Sequence, residues 1–144
     1  MHRCFHSVAA QPGELIGEDP SSIPNNPKPY GSQIAVGKRE ELRILRNDYL
    51  TDDGTGVRDY LHVADLAKGH VAALRSLLNK GPGFAANLGT GGGKSVLGVM
   101  RAFEQASQGE TPHKFLPRRS NDVAKYIADV SLAKNSWVAC NLHD

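Results

Sequence analysis

Few residue types in this chain could do chemistry, and the most suggestive are cations. Arg118 and Arg119 stand side by side, with Asp122 three residues further on. Guanidinium groups hold phosphate oxygens in a planar two-pronged fashion, and a carboxylate accepts hydrogen bonds from two neighbouring ribose hydroxyls. Arg58 could supply a further cation. An Arg-Arg pair taken alone is by default a solvated charged loop. The residue types therefore leave two readings open, a solvated loop or a site for an anionic ligand.

A second candidate is the run Gly89, Thr90, Gly91, Gly92, Gly93, Lys94, Ser95 between a strand pattern and a helix pattern. A nucleotide-phosphate loop needs a glycine five residues before the glycine of Gly-Lys-Ser, and Leu88 stands there. The dinucleotide fingerprint needs a third glycine where Lys94 stands. Both patterns fail by one position, so a tight turn before a capped helix is favoured over a phosphate cradle. His62 and His70 lie eight apart, poor spacing for a shared metal, and read as packed or surface histidines. Tyr49, Tyr60 and Tyr126 read as amphipathic packing residues. Gly-x-Ser-x-Gly, His-Glu-x-x-His and Tyr-x-x-x-Lys do not occur in the sequence.

The elements that must position these groups centre on residues 54–78. The turn at Asp53-Gly54 leads through an apolar-aromatic run into a helical pattern. Val63, Ala67, Val71, Leu74 and Leu78 recur at spacings of three and four, which puts them on one face of a helix. Asn79, Gly81, Pro82 and Gly83 stop it. Arg58 and Asp59 sit at the entrance of this strand-to-helix unit. Upstream, residues 3–8 read as the end of a buried strand without an upstream partner, and 11–30 as a long loop rich in proline, glycine, asparagine and serine. A short helix is expected over 31–40, a strand over 42–45 and a turn-rich connection over 47–56. Downstream, 84–88 reads as a buried strand. Ser95 reads as the N-cap of a helix over 96–107 ended by Gly109, with Val96, Val99, Met100 and Phe103 on one face. Residues 113–117 form a third strand, 118–122 a polar loop, 125–129 an extended piece and 131–137 a last helix. Alternating strands and helices argue for an α/β layer with parallel pairing.

Composition narrows the function classes. The 144 residues carry 17 basic and 15 acidic side chains, mixed along the chain, for a net charge of +2. No block of like charge supports a nucleic-acid or membrane surface. The 40% hydrophobic content suffices for one core. No apolar run nears membrane-spanning length, and residues 1–5 do not read as a signal peptide. With two cysteines, Cys4 and Cys140, a reduced intracellular setting is the simpler expectation, and no metal site is expected.

Several stretches go further. Ile23-Pro24-Asn25-Asn26, Pro29-Tyr30, Gln33 with Ala35-Val36-Gly37, and the span from Asn47-Asp48-Tyr49 through Arg58-Asp59-Tyr60, His62-Val63 and Asp65-Leu66-Ala67 to Gly69-His70 resemble the UDP-glucose 4-epimerase family of extended short-chain dehydrogenase/reductases. Asn87-Leu88-Gly89, Gly91, Pro117-Arg118-Arg119, Asp122 and Ala128-Asp129 continue the likeness in register. The resemblance implies an α/β fold, the C-terminal part of an extended Rossmann-type protein. It would comprise the sugar-nucleotide-binding subdomain and the last strands and helices of the sheet. Residues 1–144 would be the UDP-sugar-binding C-terminal region of an NAD-dependent epimerase, with the N-terminal Rossmann half absent.

The implied activity is interconversion of UDP-glucose and UDP-galactose in galactose metabolism, through a 4-keto sugar with NAD as cofactor. The family's tyrosine-lysine pair and NAD loop do not occur here, so the chain alone is expected to be inactive. The alternative is a non-catalytic truncated fragment that at most binds UDP-sugars. The resemblance implies UDP-sugar contacts at Asn26, Pro27, Arg43, Ile44, Leu45, Arg58, Arg119, Asp122, Tyr126 and His6, and an NAD contact through the backbone of Phe5. Arg58 and Arg119 would hold the pyrophosphate, Asp122 the ribose, and residues 43–45 the uracil. His6, Cys4, Leu45 and Pro27 depart from the family's usual asparagine, tyrosine, aromatic and leucine. A cytoplasmic homodimer is the family's usual state.

Overall fold

The computed structural model describes residues 2–4, 6–10, 13, 16–18, 24, 27–79, 83, 85–117 and 122–137. In chain order its elements are β1 (His2–Cys4), β2 (His6–Val8), α1 (Pro27–Ala35), β3 (Leu42–Leu45), β4 (Val57–Arg58), β5 (Tyr60–His62), α2 (Val63–Leu78), β6 (Ala86–Leu88), β7 (Lys94–Ser95), α3 (Val96–Ser107), β8 (His113–Leu116), β9 (Lys125–Tyr126) and α4 (Ser131–Trp137). They fall into two units. The first comprises Met1–Gly17, Asp59–Gly93 and Ile127–Asp144, and the second Glu18–Arg58 and Lys94–Tyr126.

In the first unit the stretch expected as one strand over 3–8 is two. β1 pairs in parallel with β6, with Cys4 opposite Leu88, and β2 pairs in parallel with β5, with His6 opposite Tyr60. Their partners come from later in the chain. Parallel pairing requires long connections, and α2 lies on the stretch between β5 and β6. The helix starts without a linker because His62 is its N-cap: extended at ψ 135°, with its ring Nδ1 accepting from the Ala64 N–H at 3.1 Å. That role was not among those the sequence suggested for His62. Asp65 in the first turn complements the helix dipole. The helix closes at Asn79, whose N–H bonds Arg75 O at 3.0 Å. Gly81 and Pro82, also expected to stop it, lie outside the described residues.

The buried face of α2 is not the face that carries its apolar stripe. Asp65, Gly69 and Ala73 are buried, whereas Val71, Leu74 and Leu78 are 49%, 56% and 72% exposed. Small side chains win the inner face because the helix backbone approaches β6 closely. A Cβ at Gly69 would sit 3.0 Å from Leu88 Cδ1, a tight contact that would force the Leu88 side chain to shift. The stripe chosen by spacing is real, but it faces outward.

The second unit is built around Tyr30, Leu42, Ile44 and Met100, with Ile34, Val96 and Leu97 packed against them. β3 pairs in parallel with β8, Leu42 opposite His113 through Leu45 opposite Leu116. Its alternation buries Leu42 and Ile44 and exposes Arg43. α1 begins four residues before the expected 31 and ends at Ala35 rather than 40. Proline suits a first helical turn, since the N–H it lacks has no partner there. Gly37 ends the helix at φ 73°, with its N–H on Ile34 O at 2.9 Å and Lys38 N–H on Gln33 O at 2.8 Å. α3 matches its expected bounds, but its C-cap is Gln108 in the left-handed conformation, at φ 54°, rather than Gly109.

The first turn of α3 is fully partnered. Val96 N–H donates to Gly56 O at 3.1 Å, Leu97 N–H to Thr55 Oγ1 at 3.4 Å and Gly98 N–H to Ser95 Oγ at 3.0 Å. Asp53 ties the caps together: Ser95 Oγ donates to its Oδ2 at 2.5 Å and Thr55 Oγ1 to its Oδ1 at 2.7 Å. Burial opposes the charged form of Asp53, but the bonds from Ser95 and Thr55 and the charge of Arg101 outweigh it and hold the carboxyl below its ordinary value. A depressed native value makes the contribution of Asp53 to stability complete above the ordinary 3.8. It is lost as pH falls through the lower native value. Asp53→Asn is therefore expected to cost about 1 kcal/mol at pH 7, with the gap from the unsubstituted chain closing below pH 3.8. Urea denaturation of both proteins across pH 2–7 checks this.

Candidate functional site

Arg58 stands on the middle strand of the three-stranded sheet β7-β4-β9 in the second unit. Its Cα partners are Lys94 on antiparallel β7 and Tyr126 on parallel β9. Residues directly opposite one another in a ladder present their side chains on the same face, so Lys94, Arg58 and Tyr126 form one row. Val57 N–H donates to Ala124 O at 2.8 Å and holds the segment leading into β9 against β4. That segment brings in Asp122. Arg58 Nη2 donates to Asp122 Oδ1 at 2.6 Å, and Nη1 donates to Val57 O at 2.8 Å and Ala124 O at 3.5 Å. Tyr49 OH donates to the other carboxylate oxygen, Oδ2, at 2.8 Å. The side chains of Arg58 and Asp122 are 14% and 25% exposed, so solvent screens this ion pair less than a surface one.

Three of the residues named from the sequence thus come together: Arg58, Asp122 and Tyr126. Arg58 and Asp122 bond to each other rather than standing open, and Tyr126 is half exposed at 51%. Tyr49, read as a packing residue, is buried as expected but also orients Asp122. Nothing in their spacing announced this. Arg43, Ile44 and Leu45 lie on β3, where Arg43 is exposed. Ile44, at 2% exposure, is core, so only its backbone can meet a ligand. Pro27 opens α1. His6 lies in the first unit, its ring edge-on to Tyr60 with centroids 5.9 Å apart. Asn26, Arg119 and Phe5 lie outside the described residues.

The glycine run resolves in favour of the turn. Asp59, fully buried, accepts from Thr90 N–H at 2.8 Å, Thr90 Oγ1 at 2.6 Å, Gly91 N–H at 3.0 Å and Ala128 N–H at 3.1 Å. A Cβ at Gly89 would sit 2.5 Å from Ala128 Cβ and 2.6 Å from Asp59 Oδ2, and Gly91 has φ 75°. Glycine is required at both positions. The amides that a phosphate cradle would aim at a ligand are aimed instead at a carboxylate of the same chain. These residues do not fit the pyrophosphate of NAD. Among the described residues no cluster of His, Cys, Asp and Glu could hold a metal ion, and no helix is long and apolar enough to cross a membrane.

Replacing Asp59 by Asn turns one acceptor of this fully buried side chain into a donor that faces N–H donors. Asp59→Asn is expected to destabilise the chain by at least about 2 kcal/mol, against less than about 0.5 kcal/mol for the exposed Asp52→Asn. Urea titration of the two variants distinguishes them.

The chain matches the NAD dependent epimerase/dehydratase family over residues 11–89. It is 54% identical to UDP-glucose 4-epimerase of Bacillus subtilis over 139 residues, which is 95% of this chain and 41% of that protein. It is 52% identical to the human UDP-glucose 4-epimerase over 95% of this chain and 40% of that one. The chain therefore spans about two fifths of the length of these relatives. Among solved structures, a UDP-glucose 4-epimerase from Stenotrophomonas maltophila, with bound NAD and formylated UDP-arabinopyranose, superposes with a TM-score of 0.91 at 44% identity, covering 99% of this chain and 43% of that one. The enzyme from Bifidobacterium longum in complex with NAD+ and UDP gives 0.88 at 47% identity, covering 96% and 42%. The fold is α/β and corresponds to part of a Rossmann-type epimerase. With more than half of its residues matched, the chain belongs to the NAD dependent epimerase/dehydratase family.

Proposed function

We propose that these residues are the C-terminal, UDP-sugar-binding region of a UDP-glucose 4-epimerase, the isomerase that interconverts UDP-glucose and UDP-galactose in galactose metabolism. The observation that carries this reading is the meeting of Arg58, Asp122 and Tyr126 on one small sheet, with Arg58 Nη2 2.6 Å from Asp122 Oδ1. Arg58 has five N–H donors, and the bonds to Asp122, Val57 O and Ala124 O leave others for a phosphate oxygen. Asp122 holds the guanidinium in place before the ligand arrives, which lowers the ordering cost of binding. Its carboxylate oxygens can accept from ribose hydroxyls as well, since each has more than one acceptor position. Arg119 adds a second guanidinium for the pyrophosphate. β3 offers Arg43 and the backbone at 44–45 to the uracil, with Leu45 and the α1 residue Pro27 beside it. Asn26 completes this set of sugar-nucleotide contacts. The cofactor of the reaction is NAD. Asp59 takes the amides of the glycine turn, so the backbone of Phe5 would be the contact these residues offer NAD. The cytoplasmic homodimer usual for this enzyme belongs to the same reading.

A second reading, a UDP-sugar binder without turnover, is favoured by one observation: the sequence contains no Tyr-x-x-x-Lys pair to move the sugar's hydroxyl proton. Calorimetry of UDP-hexose binding to the purified chain tests both. Binding is expected, weakened at least about tenfold in Arg119→Ala, with no conversion of UDP-galactose by the chain alone in the presence of NAD. A folded chain that releases no heat with UDP-hexose overturns the proposal.

A further inference from the structure

The cationic row on the β7-β4-β9 sheet contains a residue to which neither the sequence motifs nor the family resemblance gave a role. Lys94 is the Cα partner of Arg58 across the antiparallel β4–β7 ladder. It is exposed, whereas Ser95 beside it points to the opposite face, where it binds Asp53. Lys125 lies opposite Val57, and so on the other face from Arg58. Charge distinguishes Lys94 further. The guanidinium of Arg58 is compensated by Asp122, with two carbonyl oxygens on its Nη1. Among the described residues no carboxylate forms an ion pair with Lys94. The row therefore presents one cation that is neutralised and directionally tied, and beside it one that is neither.

We infer that Lys94 is a binding residue for the diphosphate of the nucleotide sugar, supplying the uncompensated positive charge next to Arg58. This rests on the proposed function and adds a residue to it. A diphosphate arriving at Arg58 meets a guanidinium whose charge Asp122 already offsets. Net attraction at the row then depends on the neighbouring ammonium, whose flexible four-carbon stem can follow either phosphate. Ribose and base carry no charge for Lys94 to meet, so its effect is confined to the phosphorylated ligand.

The test is calorimetry of the 144-residue chain and its Lys94 variants with UDP and with uridine, at low and at moderate salt. Lys94→Ala is expected to weaken UDP binding about five- to tenfold at low salt, with a shallower salt dependence and an unchanged affinity for uridine. Lys94→Arg is expected to restore UDP affinity to within about twofold. UDP binding that is equal in the unsubstituted chain and in Lys94→Ala overturns the inference and leaves the proposed function standing. Uridine affinity that falls as far as UDP affinity also overturns it, because a loss of local structure then explains both. Failure of the unsubstituted chain to bind UDP overturns the inference together with the reading beneath it.

Discussion

Asp59 has no surface exposed to solvent, yet its two oxygens collect four hydrogen bonds from Thr90, Gly91 and Ala128. A buried carboxylate is tolerated only when its charge is met by donors of this kind. Here three of the four are backbone N–H groups that would otherwise be unsatisfied. The contact joins the start of the β5–α2 segment, the turn after β6 and the chain just past β9. Those stretches are 31 and 69 residues from Asp59 in sequence. It also explains why the extended piece at 125–129 leaves its ladder at Tyr126. Ala128 N–H is committed to Asp59, and Asn87 Nδ2 takes Asp129 O at 3.0 Å. The glycines of the turn serve this arrangement, since any side chain at Gly89 would displace either the carboxylate or Ala128.

Polar groups are arranged differently in the second unit. Asp53 satisfies the cap residues of α3, and Asp122 satisfies Arg58 and Tyr49. In each case one carboxylate gathers donors from separate segments and fixes them against one another. The difference is accessibility. Asp122 and Arg58 keep partial exposure, whereas Asp59 is fully buried. A carboxylate fills the glycine turn, whereas the guanidinium of Arg58 stands on a partly accessible strand.

Much of the local structure was legible in the sequence. The bounds of α2, α3, α4 and β3 follow from signals carried by neighbouring residues: apolar spacing, the Ser95 cap and alternation at 42–45. Where such signals were ambiguous the reading slipped. Proline-rich sequence hid the start of α1 at Pro27, because proline marks both loops and first helical turns. β4, β7 and β9 have two residues each, too few for any periodicity to appear. Hydrophobic spacing marks one face of α2 but cannot say how near the neighbouring strand will come. Close approach to Leu88 favours the small residue at Gly69.

By itself the sequence determined the α/β class, the spans of α3 and α4, and the Ser95 cap of α3. Those depend on residues within a turn or two of each other. Only the tertiary structure decided that Asp59 fills the glycine turn, that Arg58 pairs with Asp122 across 64 residues, and that Lys94 stands beside Arg58. Such pairings are set by strand register and chain reversal. No residue type or short spacing encodes them, because each depends on where distant segments meet.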